Sequence, residues 1–176
     1  MRSTFAGVAA VLLGLVMLTG EAEAAAPKVF TQGGCASSTG NDKCSSFYAY
    51  QAMIPVLRTF KFTVSGPGVA QVMFNGTLSC TNGSAVDAYI DLAAQIVTSQ
   101  TAAAASNGPG GAHHLVVVPT PNTLTPTVEI NLASTRALTY PSGGQKTVYF
   151  RITKLHMGET TACDVFNPMF TVLYFS

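Results

Sequence analysis

Charge is what this sequence has least of: 9 Lys and Arg and 8 Asp and Glu stand among 176 residues. Beyond residue 24 there are 8 basic and 6 acidic side chains, a scattered net charge of +2. That excludes a basic stripe for nucleic acid and a polybasic patch for anionic lipid. Tryptophan, the commonest platform for stacking on a sugar ring, is absent. No Cys-x-x-Cys spacing occurs, which argues against a zinc site. Gly-x-Ser-x-Gly, His-Glu-x-x-His, a phosphate-cradling glycine loop and an Asp-rich calcium loop are all missing. No nucleophile, base or metal set is visible, and no cofactor is expected.

The first 24 residues stand apart from the rest. Arg2 supplies a positive start, Phe5 to Thr19 is an apolar run, and Ala22-Glu23-Ala24 places small residues where a signal peptidase reads. The run is shorter than the roughly 20 residues a bilayer span needs. Residues 1–24 are therefore expected to be a cleaved signal peptide, with no membrane span left after cleavage. The expected location is secreted, periplasmic or at a cell surface. The remaining 152 residues suit one domain, divided as an N-terminal segment at 25–57 and a β-sandwich at 58–176.

Period-2 alternation dominates that body. Phe60, Phe62 and Val64 alternate with polar residues before the turn Gly66-Pro67-Gly68. Ala70, Val72, Phe74, Leu78 and Cys80 share one parity in the next strand, where Asn75-Gly76 is a candidate bulge. From Val86 to Ala105 two readings compete: a strand with Ala88, Ile90, Leu92, Ala94 and Ile96 on one face, or a helix with Val86, Ile90, Ala93 and Val97 as its stripe. The period-2 match favours the strand. Gln100 to Ala112 reads as a loop, Leu115 to Val118 as a short strand, and Val128 to Ala133 and Arg136 to Tyr140 as two more. Near the end, Val148, Phe150 and Ile152 alternate with Thr147, Tyr149 and Arg151, and Met169 to Phe175 is apolar on both faces. Seven or eight strands separated by Gly/Pro turns predict an all-β, two-sheet antiparallel sandwich, in the specific form of a jelly roll.

Four cysteines behind an export signal predict two disulfides. Of the three possible pairings, Cys35 with Cys44 and Cys80 with Cys163 is favoured. The first closes a short polar loop, and the second ties the middle of the domain to an expected C-terminal hairpin.

The order of these features resembles the jelly-roll heads of the C1q/TNF-like kind and the tips of some phage fibres. Gly68 to Phe74 follows a turn, a Gly-rich turn precedes Thr147 to Phe150, and an aromatic run from Phe170 to Phe175 ends the chain. The resemblance spans Arg58 to Phe175. It implies a symmetric trimer with the last strand near the axis, and it transfers no functional residue.

Isolated polar residues offer little chemistry. His113 and His114 are adjacent, so in a strand they point to opposite faces, and His156 would have to join from elsewhere to complete a metal site. They read as a polar strand start. Asp87 and Asp91 share a face, but their α-carbons stand about 13 Å apart in a strand, too far for a catalytic pair. Asn75-Gly76-Thr77 and Asn82-Gly83-Ser84 are glycosylation sequons if the host is eukaryotic. Tyr48, Tyr50, Tyr89 and Tyr140 are the aromatics a glycan would need, although strand tyrosines more often pack across strands.

The doubly apolar last strand is the strongest functional signal. With Met169, Leu173 and Phe175 turned to the core, Phe170, Val172 and Tyr174 form an outward apolar face, the expected site of self-association into a homo-oligomer. The function expected is a non-catalytic, exported β-sandwich with a structural, self-assembling or surface-interaction role. An extracellular glycan- or surface-binding module is the alternative, and a small secreted hydrolase the remote one.

Overall fold

The structure, a computed structural model, describes residues 26–34, 43–48, 56–120, 127–158 and 161–176. They form strands β1 (Lys28–Gln32), β2 (Lys43–Tyr48), β3 (Val56–Val64), β4 (Gly68–Asn82), β5 (Ala88–Val97), β6 (Gly111–Val118), β7 (Thr127–Tyr140), β8 (Gly144–Met157) and β9 (Thr161–Phe175). The first sheet runs β1-β9-β4-β7, with β2 also paired to β9, and the second runs β3-β8-β5-β6. All pairings are antiparallel.

The pairings are nested. β5 pairs with β6, β4 with β7, β3 with β8, and β1 and β2 with β9, as in one long hairpin wrapped around a barrel. Two further contacts, β4 with β9 and β5 with β8, close the wrap. This is the jelly-roll topology. The expected all-β sandwich is therefore the fold.

Alternation explains which side chains make the core. Ala70, Val72, Phe74, Leu78 and Cys80 of β4 face inward, as do Ala88, Ile90, Leu92, Ala94 and Ile96 of β5 and Val148, Phe150 and Ile152 of β8. Aromatic contacts bridge the layers: Phe74 of β4 stacks on Phe150 of β8 with centroids 3.6 Å apart, and Phe170 of β9 lies 5.6 Å from Phe60 of β3. Close contacts of this kind add to the burial of area.

Tyr174 also closes the β3–β4 turn, its hydroxyl donating to the Gly66 carbonyl at 2.6 Å. A Cβ on Gly68 would stand 2.7 Å from the Tyr174 ring and 2.2 Å from the Phe175 carbonyl, so only glycine fits there.

Cys80 and Cys163 are direct cross-strand partners and form a buried disulfide between β4 and β9, with α-carbons 4.1 Å apart. The favoured pairing holds for this bond. Cys35, and with it the Cys35–Cys44 pairing, lies outside the described residues, as does the expected leader at 1–24.

Several expectations need correction. β1 and β2 hydrogen-bond to β9, so Lys28–Gln32 and Lys43–Tyr48 of the segment set apart as 25–57 belong to the first sheet. The runs at 128–133 and 136–140 are one continuous strand, β7. β8 and β9 do not form a hairpin, because they lie in opposite sheets. Residues 86–105 contain a strand and a loop, and the helical reading fails.

The bulge is also in a different strand from the expected one. β4 and β7 stay in register through Asn75 and Gly76. Between the pairs Asn75↔Met169 and Thr77↔Phe166 the extra residue belongs to β9. It sits at Asn167, which holds a positive φ of 48°, a conformation that Asn tolerates better than most residues.

Candidate functional site

The bulge decides which face of β9 is outside. Upstream of it Thr161, Cys163 and Val165 are buried, and downstream the buried set is Phe170, Val172 and Tyr174. Odd positions point inward before Asn167 and even positions after it, because one extra residue shifts a period-2 pattern by one. The expected association face, Phe170, Val172 and Tyr174, is therefore inverted. These three are among the most buried side chains of the protein. The residues they were expected to leave in the core, Met169, Leu173 and Phe175, lie on the outer face, with Met169 and Phe175 each 44% exposed.

Register places partners around them. Val29 lies opposite Leu173, and Val69 opposite Phe175; Val29 is 60% exposed and Val69 41%. Met73 and Thr31 flank Thr171 one row on. Among the outward residues of β1, β4, β7 and β9 only Glu129 and Asp164 carry charge, and both are paired with Ser79 in one row. That row lies about 20 Å from Met73, at about 3.3 Å per residue. The remainder is Thr, Ser, Asn, Gln and Ala around an apolar band.

The outer face of the second sheet is divided. At one end the loop 98–110 lies over Ala93, Gln95 and Val97, which are buried although they face away from the core. Gln95 anchors that loop, donating to the Pro109 carbonyl and accepting from the Ala105 amide, both at 3.0 Å. Arg151 donates to the Gln100 carbonyl. This Ala-rich loop thus covers one end of the second sheet and not the last strand's outer face.

At the other end Tyr89, Leu115, Val117 and Leu155 are exposed. Beside Tyr89 a groove of about 300 Å³ is lined by Ser84, Val86, Asp87 and His156. Asp87 accepts from the Thr120 hydroxyl and amide, each at 2.7 Å, and these bonds hold its carboxyl below the usual carboxylate range. Asp91 lies 2.5 Å from His113 Nε2 across the β5–β6 pair. His114, on the opposite face, is half-buried, and desolvation together with the neighbouring His113 lowers its pKa. Each carboxylate thus has its own partner, and the two His side chains diverge as alternation requires. Among the described residues no three His, Cys, Asp or Glu side chains form a group able to hold a metal ion.

The remaining candidates separate clearly. Tyr140 is half-buried against Phe62 and beneath Lys146, so Tyr89 is the exposed aromatic of the two. Tyr50 and the side chain of Tyr48 lie outside the described residues. Asn82 is fully buried, with Nδ2 donating to Val86, Val118 and Pro119 carbonyls, an occupation that competes with glycan attachment. Asn75 is exposed on the outer face of the first sheet.

No protein-family model matches the chain, and no curated protein matches it. Similar solved structures are the VP2 subviral particle of infectious bursal disease virus, at 10% identity and a TM-score of 0.40, covering 95% of this chain and 38% of that one. The Gt strain of the same virus gives the same values, and its T13 viral particle matches at 11% identity and a TM-score of 0.30, covering 96% of this chain and 39% of that one. This chain thus spans well under half the length of the chains it is similar to.

Proposed function

We propose that the protein is an exported, non-catalytic structural β-sandwich that associates with copies of itself through the outer face of its first sheet. One observation supports this most: the exposed band of Val29, Val69, Met169 and Phe175 lies on a face where the only charges among the outward residues of β1, β4, β7 and β9, Glu129 and Asp164, stand together away from it. Interface centres are depleted in charge and rich in Met and Phe. Three strands of 14 or 15 residues, with β1 and β2 following one another along β9, make a face about 46 Å by about 19 Å, or about 900 Å². A standard interface takes about 800 Å² from each partner. A closed symmetric assembly follows from a self-complementary face.

Val69→Lys is the test. It places a charge in the band at an already exposed position, so circular dichroism should be unchanged while light scattering reports a smaller species. An unchanged mass would remove this face from the assembly.

A second reading rests on Tyr89, 55% exposed beside the groove lined by Asp87 and His156. An open aromatic ring next to polar groups suits a sugar ring or another surface ligand. Glycan-array binding that is lost in Tyr89→Ala but kept in Val69→Lys would favour it.

A further inference from the structure

We propose that β6 is a pairing edge: two copies join by antiparallel hydrogen bonding between their β6 strands, extending the second sheet across a two-fold axis. This interface is distinct from the face proposed above.

The strands at the edges of the sheets are β1, β2 and β7 in the first, where β1 and β2 both lie beside β9, and β3 and β6 in the second. Among the described residues, β6 pairs only with β5. An edge strand presents a row of unpaired N–H and C=O groups, and proteins blunt such rows with charge, proline or bulges. β1 carries Lys28, β2 carries Lys43 and an irregular register beside it, β3 carries Arg58, Lys61 and an irregular register at Val56, and β7 carries Glu129 and Arg136. β6 reads Gly-Ala-His-His-Leu-Val-Val-Val and keeps an unbroken register of eight pairs with β5. It has no lysine, arginine, acidic residue, proline or bulge. Of its two titratable groups, His113 is held by Asp91 of the same chain.

The side chains beside that edge are also uncovered. Leu115 is 66% exposed, and Val117 is exposed next to it on the same face. Val116 and Val118, of the other parity, are buried in the core. Centred on Leu115, a second β6 running antiparallel sets Leu115 against Leu115 and Val116, Val117 and Val118 against His114, His113 and Ala112, with no lysine, arginine or acidic residue on either strand to oppose it. The contact is of workable size. Eight residues at about 3.3 Å and a sandwich side about 20 Å thick give about 500 Å² per copy, or about 1,000 Å² in all, the lower bound of a specific interface. The new backbone hydrogen bonds add to that contact, as they do in strand addition generally.

Amide hydrogen exchange on the full protein tests this directly. The β6 amides that point away from β5 should gain protection as protein concentration rises. Leu115→Lys, at an exposed edge position, should abolish that gain without loss of β-sheet signal. Leu155→Lys, equally on the outer face but on β8, should leave it intact, and so should Val69→Lys on the other sheet. The proposal is overturned if the outward β6 amides exchange at the unprotected rate at every concentration, or if Leu155→Lys or Val69→Lys abolishes their protection as Leu115→Lys does. A loss of mass in Val69→Lys with β6 protection retained would separate the two interfaces.

Discussion

Deleting one residue from β9 should be almost harmless at Asn167 and damaging four residues later. Asn167 is the extra residue of the bulge, so its removal leaves a regular strand in which Cys163 and Val165 still face inward, and so do Phe170, Val172 and Tyr174. The expected cost is about 1 kcal/mol or less, since no core contact is exchanged. Removing Thr171 instead breaks the parity of the strand's last residues, Val172 to Phe175. The chain then has two choices. It can turn Val172 and Tyr174 outward, which seats Leu173 and Phe175 in their places at a misfit cost of about 1–3 kcal/mol and loses about 1 kcal/mol for the Tyr174 hydrogen bond to Gly66. Alternatively it can absorb the bulge, which seats Met169 in place of Phe170 and breaks the contacts of Phe170 with Phe60 and Phe74. That route exchanges the buried Phe170 ring for Met169 and adds misfit in a closely packed core, together about 1–3 kcal/mol. Against a total stability of about 5–15 kcal/mol, either outcome is a large loss. Urea unfolding followed by circular dichroism separates the two deletions by their midpoints, with a shift of about 1 M or more for ΔThr171 at a typical slope. Equal midpoints would refute the assignment of the bulge, and with it the outward placement of Met169, Leu173 and Phe175.

The same geometry sets three further outcomes. Replacing Cys80 and Cys163 together by Ala releases a chain constraint spanning a separation of 83 residues, worth about 4.6 kcal/mol on the chain-entropy model, and thermal unfolding should show a correspondingly lower midpoint. Gln95→Ala removes both Gln95 hydrogen bonds to the 98–110 loop at a cost of about 1–3 kcal/mol, and faster exchange of the Ala105 amide should reveal it. For pH, the folded pKa of His114 lies below its ordinary 6.5, so the unfolded chain takes up the proton first. Its contribution to stability is complete above pH 6.5 and declines as pH falls below it through the lowered folded value. His114→Gln should flatten that acid limb in denaturation midpoints taken across pH.

Much of the architecture was legible in the alternation of single residues. β4, β5 and β8 each carry long runs of strict parity, and a half-buried strand imposes that pattern whatever its partners. The helical reading of 86–105 arose for a physical reason. Ala93 and Val97 are apolar on the outer face of β5 because the 98–110 loop covers them, and apolar residues on both faces imitate a helical stripe. β1 was missed because its five residues include an exposed Val29 and only a half-buried Phe30, so the strand has little pattern of its own. Sheet membership is not encoded in alternation at all, which is why β8 and β9 read as a hairpin when they face each other across the core. The candidate face suffered from the least legible feature of all. Asn167-Pro168 stands just before the apolar run that starts at Met169, and in the fold it inserts one residue into a continuing strand and reverses which side chains meet solvent. Apolar content on both faces of the last strand was visible in the sequence; the choice of the wet face was not.

The mass of the purified, unmutated protein in solution tests the central claim most directly. Light scattering across a range of concentrations should return a multiple of the single-chain mass, falling when Val69→Lys places a charge in the band beside Phe175. A single-chain mass that persists at high micromolar concentration would contradict the account and leave the open ring of Tyr89 as the better guide to what this protein does.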